Sequence, residues 1–241
     1  MTANQLVTRL ISSEAEVDQH KIIKGMISNE EEARIVKSLG VISNLPIYID
    51  DSPSLTIMEL RAKARRLKIE KDIKIILIDY LQLMNAPKSE TREREISYIS
   101  RSLKQLAKEL DIPVVALAQL NRSVEARTDK RPMLSDLRES GSIEQDADVV
   151  MFVHRPELYG INFFDKEKQN PTENMAEIIV GKQRNGPTGA IKLTFLKSFA
   201  KFANTVYGMD DNEVGGDDDA SNYIVGDYYE GNGGGDDEQP F

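Results

Sequence analysis

Apolar residues return along this chain at two different periods. Over 91–110, Ile96, Ile99, Leu103, Leu106 and Leu110 recur every three or four positions, which predicts an amphipathic helix. The same spacing sets Leu6, Leu10 and Ile11 on one face of a helix over 2–14. Thr56 and Glu59 have the spacing of a capping box, and Leu60, Ala64 and Leu67 continue the apolar face of the helix they open. Its opposite face carries Arg61, Lys63, Arg65, Arg66 and Lys68, a solvated face. Asn29 and Glu32 repeat the capping-box spacing and predict a helix ending near Gly40. Elsewhere the apolar runs are short and unbroken. Of the six residues before Asp79 only Lys74 is polar, so 73–84 predicts a strand buried on both faces, as in a parallel sheet covered by helices. Stretch 113–120, apolar until Gln119, predicts a second such strand, with others at 46–50 and 148–153. Strands alternating with helices imply right-handed βαβ units. Runs 176–181 and 190–196, joined through Asn-Gly-Pro-Thr-Gly, predict an antiparallel pair closing the sheet edge. The long connection 155–174 shows neither period.

Composition narrows the class. The 241 residues are 40% hydrophobic and 29% charged, enough for one full-sized domain and an appendage. No apolar run approaches the roughly 20 residues of a membrane span, and no basic-then-apolar leader opens the chain, so a cytoplasmic protein is expected. Without cysteine there are no disulfides, thiolate nucleophiles or Cys-based zinc sites, and two histidines make a His-rich metal site a poor expectation. The net charge of −9 is concentrated at one end. From Asp210 onward there are 11 acidic residues, no basic ones and seven of the 15 glycines, whereas the preceding residues carry 31 basic and 29 acidic side chains. The expected organisation is therefore a domain over 1–208 and a disordered acidic, Gly-rich tail over 209–241. The tail's sign does not argue against nucleic acid.

Four places can carry chemistry. Asp79 closes the most apolar strand, and ligands of open α/β sheets gather outside the carboxyl ends of strands. A carboxylate there can hold Mg²⁺ and, through it, nucleotide phosphates; capping the next turn is the plainer use. Gln119 ends the adjacent strand similarly, followed by Asn121 and Arg122, and can orient water or sense a phosphate, although a polar strand end is ordinary. In Asp-Leu-Arg-Glu-Ser-Gly-Ser at 136–142, Gly141 permits positive φ, so backbone N–H groups can turn to an anion beside Arg138. The alternative there is an exposed helix start with a local salt bridge. Lys182 and Arg184, two residues apart on a strand, point the same way. They suit either a cationic finger on a phosphate or a basic edge that discourages aggregation.

Together these stretches resemble the C-terminal ATPase domain of the DnaB family of bacterial replicative DNA helicases, over residues 1 to about 208. The resemblance rests on Ile-Leu-Ile-Asp-Tyr-Leu-Gln-Leu at 76–83, Leu-Ala-Gln-Leu-Asn-Arg at 117–122, Asp-Leu-Arg-Glu-Ser-Gly-Ser-Ile-Glu-Gln-Asp-Ala-Asp at 136–148 and Lys-Gln-Arg-Asn-Gly-Pro-Thr-Gly at 182–189. They occur in the family's order, and the third is specific to replicative helicases rather than recombinases. The implied fold is RecA-like α/β, a mostly parallel sheet with helices on both faces and an antiparallel C-terminal edge, truncated on its N-terminal side.

By this resemblance Asp79 corresponds to the Walker B aspartate that holds Mg²⁺, and Gln119 to the sensor of the γ-phosphate of ATP. Lys182 and Arg184 correspond to the pair inserted into a neighbouring subunit's ATP site, which implies a homo-hexameric ring. Arg138, Glu139 and Gly141 match the channel-facing loop that grips single-stranded DNA by its phosphates. Family partners are primase and a helicase loader. The chain also departs from the family. No Gly-x-x-x-x-Gly-Lys-Ser/Thr loop occurs in it, and it opens at the methionine of the family's Ser-Leu-Glu-Met segment, whose glutamate is catalytic. The N-terminal scaffold domain and linker helix have no counterpart, so an isolated chain is expected to be inactive and to need a separately supplied front part. The alternative reading is a non-catalytic RecA-like module that binds DNA or helicase subunits.

Overall fold

A computed structural model describes residues 1–87, 89–164 and 171–205, with the side chains of 138–140 excepted. The tail expected over 209–241 lies outside the described residues. These residues divide into two compact units, Met1–Ala147 with Phe195–Ala203, and Asp148–Thr194 with the residues from Asn204 on.

The first unit opens with α1 (Ala3–Ala15), α2 (Gln19–Lys24) and α3 (Asn29–Ser43). The cap of α3 is Ser28, not Asn29. The Ser28 hydroxyl accepts from the Glu31 amide while Glu31 accepts from the Ser28 amide, so the helix starts one residue from the expected place. It also runs past Gly40 to Ser43. The segment 46–50 forms no strand. Pro46 offers no amide for a ladder, and Ile47, Tyr48 and Ile49 stay exposed. Helix α4 (Ile57–Lys71) begins at the predicted Thr56–Glu59 box, closed by reciprocal bonds of 2.9 and 3.2 Å. Arg61 and Arg65 of its basic face bond to Glu109 rather than standing free in solvent, which holds that carboxyl down at about 2.

Strand β1 (Ile76–Ile78) pairs in parallel with β2 (Val114–Ala116), Ile76 opposite Val114 and Ile78 opposite Ala116. Between them α5 (Arg92–Leu110) completes one βαβ unit. Ile96, Ile99, Leu103 and Leu106 are buried on its inner face, as their spacing requires. Ile96, Ile99 and Leu103 meet Ile57, Leu81 and Met84 in the core, with Ile78, Val114, Ala116 and Ile143 packed against them. β1 is covered on one side only: Ile78 faces the core, and Leu77 is 72% exposed. The expectation of a strand buried on both faces therefore fails for this unit. Leu134–Ser140 is a 3-10 stretch that runs into α6 (Gly141–Asp146), which packs on α5 through a 2.7 Å bond between Ser97 and Ser142.

The second unit is antiparallel. β3 (Val149–His154) alternates cleanly, with Val150, Phe152 and His154 buried and Val149, Met151 and Val153 exposed. It pairs with β4 (Met175–Gln183), and β4 pairs with β5 (Gly189–Leu196), the antiparallel edge predicted from the Asn-Gly-Pro-Thr-Gly connection. β6 (Lys201–Asn204) follows after a tight turn; its Phe202 lies against Phe195, both grouped with the first unit, ring centres 4.8 Å apart. Among the described residues no helix is long and apolar enough to cross a membrane.

Candidate functional site

The ends of β1 and β2 are sewn together beyond the strands themselves. Leu117 donates to the Ile78 carbonyl and Leu81 to the Leu117 carbonyl, both at 2.9 Å. Asp79 follows directly on β1, and Gln119 lies three residues beyond β2 on the parallel neighbour. Both side chains are exposed, at the carboxyl ends of adjacent strands, as the sequence reading placed them. The Asp79–Tyr80 peptide is cis.

Among the described residues no three acidic or histidine side chains converge as a metal cage. A lone exposed carboxylate does fit Mg²⁺, which keeps several waters and takes one or two carboxylates plus substrate phosphates rather than a closed protein shell. Among the described residues, Asp79 is the one such group that ends a parallel strand of this unit.

Two features around these ends escaped the sequence reading. Gln82, in the 3-10 turn Leu81–Leu83, spans to the neighbouring strand. Its Nε2 donates to the Gln119 carbonyl at 3.3 Å, and its Oε1 accepts from the Gln119 amide at 3.2 Å. Its own carbonyl accepts from Arg92 Nη2 at 2.5 Å. The second feature is Asp136, 3% exposed, which takes two bonds of 2.7 Å from Arg127 and one of 2.8 Å from the Met133 amide. The Arg127 guanidinium holds the Asp136 carboxyl below the usual carboxylate range. The Asp136 carbonyl accepts from the Asn121 amide at 3.0 Å, tying the start of loop 121–132 to the segment that follows it. Gln82 sits inside a recognised motif, and Asp136 opens another; a reading keyed to charge and glycine passes over both.

The other expectations fare unevenly. Gly141 has φ −51° and ψ −25°, ordinary helical values, so it does not turn N–H groups by a positive φ. It starts α6 instead. The backbone of Arg138 and Glu139 lies in the 3-10 stretch, and their side chains lie outside what is described. Lys182 is on β4 opposite Val150, next to a bulge, whereas Arg184 falls just past the end of β4, in the turn. Arg184 thus lies one residue beyond the strand that carries Lys182. Arg184 stays anchored, its amide donating to the Asp148 carbonyl at 2.9 Å and its Nε 3.8 Å from the Asp148 carboxylate.

A family model, the DnaB-like helicase C-terminal domain, matches residues 1–204. The chain belongs to that family. The replicative DNA helicase DnaB of Geobacillus stearothermophilus is 47% identical over 216 residues, which are 89% of this chain and 46% of that protein. The DnaB of Leifsonia xyli subsp. xyli is 49% identical over 205 residues, 85% of this chain and 43% of that one. Among solved structures, a DnaB-like replicative helicase described with its interactions with primase superposes at a TM-score of 0.78 and 38% identity, over 85% of this chain and 48% of that one. The ATPase domain of G40P superposes at 0.77 and 39% identity, over 85% and 72%. The expected RecA-like fold, parallel in β1–β2 and antiparallel from β3 on, is the fold of this DnaB-family chain. The chain spans less than half the length of the DnaB relatives it matches.

Proposed function

We propose that this chain forms the C-terminal ATPase part of an ATP-dependent replicative DNA helicase. The complete protein acts in the cytoplasm as a homo-hexameric ring that unwinds duplex DNA at the replication fork, 5′-to-3′. Residues 1–208 are the partial ATPase domain, and the acidic 209–241 are its appendage. The observation that carries the reading is the pair of sewn strand ends, with Asp79 and Gln119 beyond the carboxyl ends of two adjacent parallel strands within a DnaB-family sequence.

Asp79 holds Mg²⁺ on the nucleotide, a metal that offsets charge on the phosphates. Gln119 is the group that meets the γ-phosphate. Lys182 and Arg184 reach the ATP of the neighbouring subunit, so hydrolysis depends on the interface. Arg138, Glu139 and Gly141 hold single-stranded DNA by its phosphates, which suits a machine that grips any base sequence. Primase, a loader and the front part of the helicase are its protein partners.

These 241 residues contain no phosphate-cradling Gly-x-x-x-x-Gly-Lys-Ser/Thr loop, so the isolated chain should not hydrolyse ATP. A complete ring built with this chain's residues should turn over ATP, on the order of 1–100 s⁻¹, and Asp79→Ala should abolish that turnover. The measurement is a Mg²⁺-dependent ATPase assay on both preparations. A complete, assembled ring that binds DNA and never hydrolyses ATP would favour the non-catalytic module instead.

A further inference from the structure

Gln82 makes the one side-chain link described between the turn that follows Asp79 and the residue placed here as the phosphate sensor. The ladder between β1 and β2 ends at the bond from Leu81 to Leu117. Two residues further along the neighbouring strand, the Gln119 peptide would be left to water. The Gln82 carboxamide takes the place of the missing strand. It accepts from the Gln119 N–H at 3.2 Å and donates to the Gln119 carbonyl at 3.3 Å, as a paired peptide would. Only a primary amide has a donor and an acceptor side by side for this. Glu can accept the N–H but sets a carboxylate against the carbonyl; Asn is one methylene short; Ala offers nothing. Gln82 is itself held from behind. Arg92, at the start of α5, donates to its carbonyl at 2.5 Å and pairs with Glu95 at 2.6 Å.

We infer that Gln82 is a positioning residue: by clamping both backbone polar groups of Gln119 it fixes where that side chain leaves the strand relative to Asp79. This rests on the reading of Gln119 as the sensor given above. The clamp acts on orientation, not on nucleotide affinity, because Gln82 offers its polar atoms to the Gln119 peptide. A small misplacement of a reacting group costs rate, by as much as about a hundredfold for 1 Å.

Two measurements test it. In the 241-residue chain, hydrogen exchange at the Gln119 amide should quicken at least several-fold in Gln82→Ala. It should quicken less in Gln82→Glu, which keeps the acceptor, and the amides of β1 and β2 should be unchanged in both. In the complete ring, Gln82→Ala and Gln82→Glu should each lower kcat about tenfold or more and leave the KM for ATP within about twofold. In a Gln119→Ala background the same changes should add nothing. Unchanged exchange at Gln119 would overturn the clamp. Faster exchange with an unaltered kcat, in a ring that Gln119→Ala inactivates, would overturn the positioning role and leave the sensor standing. A ring indifferent to Gln119→Ala would remove the sensor reading, and the positioning role with it.

Discussion

Buried Asp136 decides how loop 121–136 behaves. Its carboxylate accepts two bonds from Arg127 and one from the Met133 amide, so deleting it leaves a cation and an N–H without that partner. Asp136→Ala should cost about 1–3 kcal/mol of stability, read in a urea melt. The pH dependence follows from the direction of the shift. Arg127 lowers the folded carboxyl below its unfolded value, so the stabilisation is fully present above the ordinary carboxylate range, near about 4. It is lost as pH falls through the lowered folded value. Amide protection in 121–136, taken relative to the intrinsic exchange rate at each pH, should therefore hold at pH 5 and fall only below about pH 4, and in Asp136→Asn that acid step should vanish. An acid step of unchanged size in Asp136→Asn would assign it to another carboxylate.

At the scale of elements, periodicity was a sound guide wherever the packing partner lies within the same unit. Helix α5 falls within a residue of its predicted span because Ile96, Ile99 and Leu103 have β1, β2 and α4 to pack on. Strand β3 alternates as a half-buried strand should. The misreadings share one cause: a local pattern whose partner the pattern itself does not supply. Stretch 46–50 is apolar enough for a strand but has no ladder, and 73–84 shortens to three strand residues because only Val114–Ala116 pairs with it. Strand spacing alone put Lys182 and Arg184 on one strand, but β4 ends at Gln183, so Arg184 falls in the turn. Of the site, Asp79 and Gln119 were legible because polar residues ending apolar strands stand out. Gln82 was not, since a side chain that completes a ladder leaves no trace in composition. The contrast between the buried face of α5 and the exposed Leu77 of β1 is directly testable. Ile99→Ala, at a fully buried position, should cost about 2–5 kcal/mol. Leu77→Ala, mostly exposed, should stay within about 0.5 kcal/mol. Equal losses in denaturant melts would mean that Leu77 is covered in solution.

For the whole molecule, the decisive question is whether the cations near the end of β4 serve their own chain's nucleotide or a neighbour's. Arg184 sits beyond the strand, half exposed, with its backbone fixed to Asp148 and its guanidinium at ion-pair range of the same residue. The proposed ring would give this half-exposed side chain a neighbouring ATP to reach. Cationic fingers are worth about 10³–10⁵ in rate and act on the transition state. Arg184→Ala in the complete ring should therefore remove ATP turnover while nucleotide binding, followed with a fluorescent analogue, stays nearly intact. Position in trans has its own signature. Rings mixed from Arg184→Ala subunits and subunits with a disabled phosphate loop contain some interfaces that join an intact finger to an intact loop. Those interfaces should restore part of the activity that neither parent ring has, in a proportion set by random mixing. If the mixed rings assemble and recover nothing, Arg184 acts on its own subunit or holds structure, and the interface dependence proposed for hydrolysis falls with it.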